Sequence, residues 1–233
     1  MSRVSLKAIV SSALAVAILL APVQAISVAD SPGPKATPVI APGVSSQVAE
    51  DLPLAAPPVK APVLSPKALL DIYLYVPRFS QKDPAWSGLV MQTCGETIGS
   101  AGCLLTSAAM VFKYYGAINK NPGQLNTCMG NNACPWIFAA GAGCSEDKAA
   151  WYNLYGFSYS TLVWALESGW PPILELTKSD GGTHWVVVNA VRGDGLSDSN
   201  YTISDPIDGT VKSLTAYTNN GRTKNRIAVY TKR

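Results

Sequence analysis

With 18 Lys and Arg against 15 Asp and Glu, a chain of 233 residues carries a formal charge of only +3, and its basic residues are spread thinly along the sequence. Binding to a phosphate backbone needs a dense basic patch, so nucleic acid is excluded as a partner. The mild grouping of Arg222, Lys224 and Arg226, and of Lys232 and Arg233, is read as the solvated face of closing strands.

Arg3 and Lys7 precede an apolar run from Ala8 to Ala21, and Val23-Gln24-Ala25 supplies the small residues of a cleavage site, so residues 1–25 are expected to be a signal peptide. The run contains Ser11 and Ser12, stops at Pro22 and falls short of the roughly 20 apolar residues a spanning helix needs. The mature chain is thus expected to be secreted or periplasmic, with no stable membrane insertion. Its basic residues fall to 16 against the same 15 acids once Arg3 and Lys7 leave. Residues 26–67 hold nine prolines among Ala, Val and Ser, a composition that reads as a semi-rigid disordered linker. Residues 68–233 then form one domain, of a size that supports a single core, and it is expected to be a monomer.

Within that domain Asp71 to Val76 reads as an opening strand that stops at Pro77. Gly102-Cys103 starts an apolar helix that runs to Tyr115 and ends at Gly116. Asn121-Pro122-Gly123 opens a second, short helix, and Gly141-Ala142-Gly143 reads as a loop. Ser145-Glu146-Asp147 has the composition of a helix cap, predicting a helix through Tyr152, and Ser160 is expected to cap another that ends at Ser168-Gly169. After Pro172 the pattern changes to short apolar strands at Pro172–Leu176, His184–Val191, Tyr201–Ser204 and Arg226–Tyr230. Asp208-Gly209 marks a tight turn between strands at Ile203 and Val211. Helices first and an antiparallel sheet second predict an α+β fold, with the helix of Cys103 facing the sheet of His184.

The five cysteines are an odd number in an exported chain. Cys94, Cys128, Cys134 and Cys144 lie in loop-like sequence and are expected to form two disulfides, with all three connectivities open. Cys103 remains as the free thiol. A thiol in the first turn of a helix faces oriented backbone donors and the positive end of the dipole, both of which favour thiolate. A thiol nucleophile needs a base, and His184 is the sole histidine. One histidine with scattered cysteines offers no metal-ligand cluster, and no glycine-rich phosphate cradle follows a strand, so no metal or cofactor is expected.

Five elements stand in a familiar order: Gln81-Lys82-Asp83-Pro84-Ala85-Trp86, Gly102-Cys103 opening a helix, Gly169-Trp170-Pro171-Pro172, His184-Trp185-Val186-Val187-Val188, and Ile203-Ser204-Asp205-Pro206. Together they resemble the family-39-like cysteine peptidases, a papain-fold group that includes the double-glycine leader peptidase domains of bacteriocin exporters. The segment around Cys94, and Leu104 in place of the usual glycine after the cysteine, place the likeness nearer the free-standing secreted branch. The resemblance implies a papain-like fold, Cys103 as nucleophile, His184 as base, Asp205 orienting the imidazole and Gln81 donating to the oxyanion. It also implies a peptide or protein substrate, cleaved through an acyl-enzyme. Export and the Pro/Ala linker raise cell-wall peptide as one such substrate. A catalytically silent binding module is the alternative, and a Cys103 consumed in a disulfide would favour it.

Overall fold

The computed structural model describes residues 69–233; the expected signal peptide (1–25) and linker (26–67) lie outside the described residues. The described residues open with strand β1 (Leu70–Tyr73) and, after a long segment, enter a helical stretch of α1 (Ile98–Ala101), α2 (Cys103–Tyr114), α3 (Pro122–Met129) and α4 (Phe138–Gly143). Strand β2 (Ala149–Gly156) and helix α5 (Tyr159–Glu167) follow, then β3 (Ile173–Thr177), β4 (Thr183–Gly193), β5 (Tyr201–Asp205), β6 (Thr210–Ser213), α6 (Thr215–Thr218) and β7 (Thr223–Lys232). The seven strands form one antiparallel sheet in the order β2-β7-β3-β4-β5-β6. β1 joins it by pairing Leu70–Tyr73 with Ala190–Gly193, in line with β3 along the same side of β4.

The unbroken apolar run of β4 is explained by burial on both faces. Trp185 and Val187 face a core made with α2, α3 and α4, while Val186 and Val188 face a second core made with α5, Tyr201 and Ile203. A strand covered on both sides has no reason to alternate apolar with polar residues. The α+β expectation therefore holds, with a helical layer on each face of an antiparallel sheet. Two hydrogen bonds fix α2 against the sheet: Ser107 Oγ donates to the Trp185 carbonyl at 3.1 Å and Tyr115 Oη to the Tyr230 carbonyl at 2.6 Å.

Local signals were followed where side chains cap in the usual way. Asn121 accepts from the Gln124 amide while Gln124 reaches back to the Asn121 amide, with Pro122 in the first turn of α3. Gly116 and Gly209 both have positive φ, ending α2 and turning β5 into β6.

The stretch from Gly141 to Ser160 departs from expectation. Gly141 to Gly143 is the end of α4, where a Cβ on Gly141 would lie 2.6 Å from the Trp136 ring, so glycine is there for packing and not for a loop. Ser145 caps no helix: its hydroxyl accepts from the Ala149 amide, Glu146 and Asp147 turn with φ of 57°, and β2 begins at Ala149. The aromatic content of Trp151, Tyr152 and Tyr155 suits a strand on a sheet edge and outweighs the cap-like acids. Helix α5 is capped by Ser158, whose hydroxyl accepts from the Thr161 amide, two residues before the expected Ser160. Helices and strands are therefore interleaved, since β1 and β2 both precede the rest of the sheet.

The grouped basic residues of β7 also differ from a solvated face. Arg226 makes a bidentate pair with Glu175, which is 1% exposed, and Lys224 pairs with Asp198 at 2.6 Å. Cys94 pairs with Cys134 and Cys128 with Cys144, leaving Cys103 as the free, buried thiol. Two disulfides are compatible with an extracytoplasmic protein. No helix among the described residues is long and apolar enough to cross a membrane.

Candidate active site

Cys103 owes its placement to a break between two helices. α1 ends at Gly102, whose amide donates to the Ile98 carbonyl, and α2 restarts at once, with the Gly102 carbonyl accepting from Thr106. In an unbroken helix the Gly99 carbonyl would accept from the Cys103 amide. It accepts instead from Gln81 Nε2 at 3.1 Å. The break needs glycine: a Cβ on Gly102 would lie 2.5 Å from the Ile98 carbonyl oxygen and 2.8 Å from its Cα. Backbone cannot yield as a flexible side chain would, so Gly102→Ala is expected to cost about 1–3 kcal/mol of stability, read as a lowered urea midpoint at unchanged m.

His184 stands one residue into β4, and the strand's 11-residue length with its pairing to β5 carries Asp205 to the same end of the sheet. His184 Nε2 lies 2.9 Å from Asp205 Oδ1, with His184 6% exposed and Asp205 fully buried. Cys103 borders the same cleft as His184, and its thiol favours the protonated imidazole. Cys103, His184 and Asp205 are thus brought together by α2, β4 and β5, with His184 between the cleft it shares with Cys103 and the buried Asp205.

Asp205 is the most heavily bonded group in the site. Its Oδ1 also accepts from the Ile207 amide at 2.9 Å, and its Oδ2 accepts from Lys212 Nζ at 2.6 Å and from the Tyr217 hydroxyl. Burial alone would raise the carboxyl pKa, but the hydrogen bonds from His184, Lys212 and Tyr217 outweigh it and hold Asp205 well below the usual carboxylate range. For His184 burial disfavours the imidazolium, and the bonds to Asp205 and Cys103 overcome that, raising the pKa from 6.5 to about 9. Asp208 leaves the imidazole alone: its Oδ1 accepts from the Thr210 amide and hydroxyl, and its Oδ2 pairs with Lys212 at 2.7 Å.

Gln81 is 2% exposed and is braced against the Asp205 turn. Its amide donates to the Pro206 carbonyl at 2.6 Å, the neighbouring Ser80 Oγ donates to the Ile207 carbonyl at 3.1 Å, and the Gly209 Cα packs on Phe79 and Ser80 so closely that a Cβ would sit 3.3 Å from the Ser80 nitrogen. One Nε2 hydrogen goes to Gly99, which leaves the second for the cleft.

Gln81, Ser100, Cys103, Thr183, His184 and Arg222 line a cleft of about 250 Å³. Three of the four residues expected from sequence, Gln81, Cys103 and His184, line it, and the fourth, Asp205, lies buried against His184. Three more were missed. Lys212 and Tyr217 lock Asp205, and Arg222 stacks over the Tyr217 ring at 5.6 Å while donating to the Leu176 carbonyl at 3.3 Å. Each sits on β6, α6 or the turn before β7, and only the pairing of distant strands brings them to His184.

Comparison with curated proteins finds no match. Residues 73–231 match the Peptidase_C39 like family, a span that contains every residue of the cleft, and the chain belongs to that family.

Proposed function

We propose that the protein is a cysteine peptidase with a papain-like arrangement, cleaving peptide or amide bonds through an acyl-enzyme on Cys103. The placing of Cys103 beside His184 in one open cleft, with His184 bonded behind to Asp205, carries this reading. Sulfur attacks the scissile carbonyl carbon, the C–N bond breaks, and the proton held by His184 passes to the leaving amine. Water then attacks the thioester with His184 as base, and Cys103 is regenerated. Asp205 fixes the ring so that Nε2 is committed and Nδ1 is left for sulfur. The spare N–H of Gln81 and the Cys103 amide, relieved of its helical acceptor, are the donors for the oxyanion.

The pairing of the other four cysteines leaves the Cys103 sulfur unspent, which removes the disulfide argument for a silent module. Extracytoplasmic action on peptide or protein substrates, cell-wall peptide included, follows as part of the proposal. The test is chemical and needs no known substrate: iodoacetamide at pH 7 on the non-reduced protein should label Cys103 selectively and stop hydrolysis of a quenched peptide library. A Cys103 that resists labelling in the folded protein would overturn the reading.

A further inference from the structure

Arg222 is a cation without an acid. Lys212, Lys224 and Arg226 are each paired with a carboxylate, whereas Arg222 makes no ion pair among the described residues. Its guanidinium has five N–H donors, and the Leu176 carbonyl takes one of them. The carboxylates near it are committed elsewhere: Asp205 to His184, Lys212 and Tyr217, and Asp208 to Lys212 and Thr210.

The side chain is also held in place. Stacking on Tyr217 at 5.6 Å and the bond to Leu176 fix it at two points. Both points border His184: Leu176 is its cross-strand partner in β3, and Tyr217 Oη lies 3.3 Å from its Nε2. Arg222 lines the same cleft as Cys103, and no carboxylate or other Lys or Arg lines it. A positioned guanidinium with spare, forked donors matches a carboxylate better than any neutral group.

The geometry points to Arg222 as a specificity residue that binds a carboxylate of the substrate beside the scissile bond, so that the enzyme prefers acidic peptides. This rests on Cys103 being the nucleophile of a peptidase. The carboxylate can come from an Asp or Glu side chain or from a free C-terminus, and both present the same anion to the guanidinium.

Two alkylating probes of similar shape read the field at Cys103 without a substrate: iodoacetate carries a carboxylate and iodoacetamide does not. In each reaction sulfur displaces iodide, so the ratio of the two rates cancels the reactivity of the thiol itself. Arg222→Gln is expected to lower the iodoacetate-to-iodoacetamide ratio about tenfold, as loss of one nearby charge in a half-buried cleft implies. Arg222→Lys should restore part of it, and Arg192→Gln, at the far end of β4, should leave it as in the wild type. A ratio indifferent to Arg222 while both reagents label Cys103 would overturn this assignment alone. A Cys103 that neither reagent labels would overturn the nucleophile with it. Quenched peptides matched as Glu against Gln, and as free acid against C-terminal amide, then separate the two sources by which pair shows a ratio of kcat/KM that collapses in Arg222→Gln. Absence of discrimination in both pairs would also overturn the assignment.

Discussion

Asp205→Asn will lower hydrolysis of a cleavable peptide by about 10²- to 10⁴-fold, the range expected when a catalytic imidazole loses its orienting carboxylate. The asparagine oxygen can still accept from the Ile207 amide and from His184 Nε2, but its NH₂ would then face Lys212 Nζ and the Tyr217 hydroxyl, both donors in the native site. Reversing the amide satisfies those two and turns a donor toward His184 and Ile207. Neither orientation serves all four partners, so the ring loses both its fixed direction and the charge that favours its protonated form. The His184 pKa should fall from about 9 toward 6.5, and the basic limb of the pH–rate profile should move down with it. Because the Asp205 pKa is depressed in the fold, its contribution to stability is complete above the unfolded value near 3.8 and is lost as the pH falls below it. The variant should therefore be less stable at neutral pH and lose less on acidification. An unmoved basic limb at wild-type rates would show that Asp205 does not act on His184.

The site was legible wherever the chemistry depends on residue type and order along the chain. A sole histidine and an odd cysteine at a helix start needed no long-range geometry, while Gln81 and Asp205 came with the order of motifs in the family resemblance. Lys212, Tyr217 and Arg222 gave no such signal, because a lysine on a short strand, a tyrosine on a four-residue helix and an arginine in a turn look like ordinary surface residues until β4, β5 and β6 are paired. The same cause misplaced β2. Ser145, Glu146 and Asp147 have the composition of a helix cap, and what decides against it is β7, whose register against Ala149–Gly156 draws that segment into the sheet. The four cysteines left three connectivities open for a related reason: pairing depends on where α3 and α4 fold, and no local pattern reports it. Glu175 shows the limit most plainly, since a charged residue within an apolar strand is tolerated only because Arg226 and Asn225 arrive from β7, some fifty positions away.

Cys103→Ala will abolish hydrolysis, and it will also change a signal that can be read without any substrate. With a single histidine in the chain, the imidazole carbon-bound proton resonances in NMR belong to His184 alone. In the wild type they should titrate near 9, because bonds to Asp205 and Cys103 together outweigh the burial that opposes the charge. Removing sulfur leaves the Asp205 bond and deletes the other contribution, so the midpoint should fall while staying above 6.5. Asp205→Asn should lower it by the complementary share, and the double variant should bring it to or below 6.5, where burial alone governs. This ordering distinguishes a working pair from a bystander. A midpoint in Cys103→Ala equal to that of the wild type would mean that the thiol does not share the His184 proton, and the acyl-enzyme mechanism would lose its base.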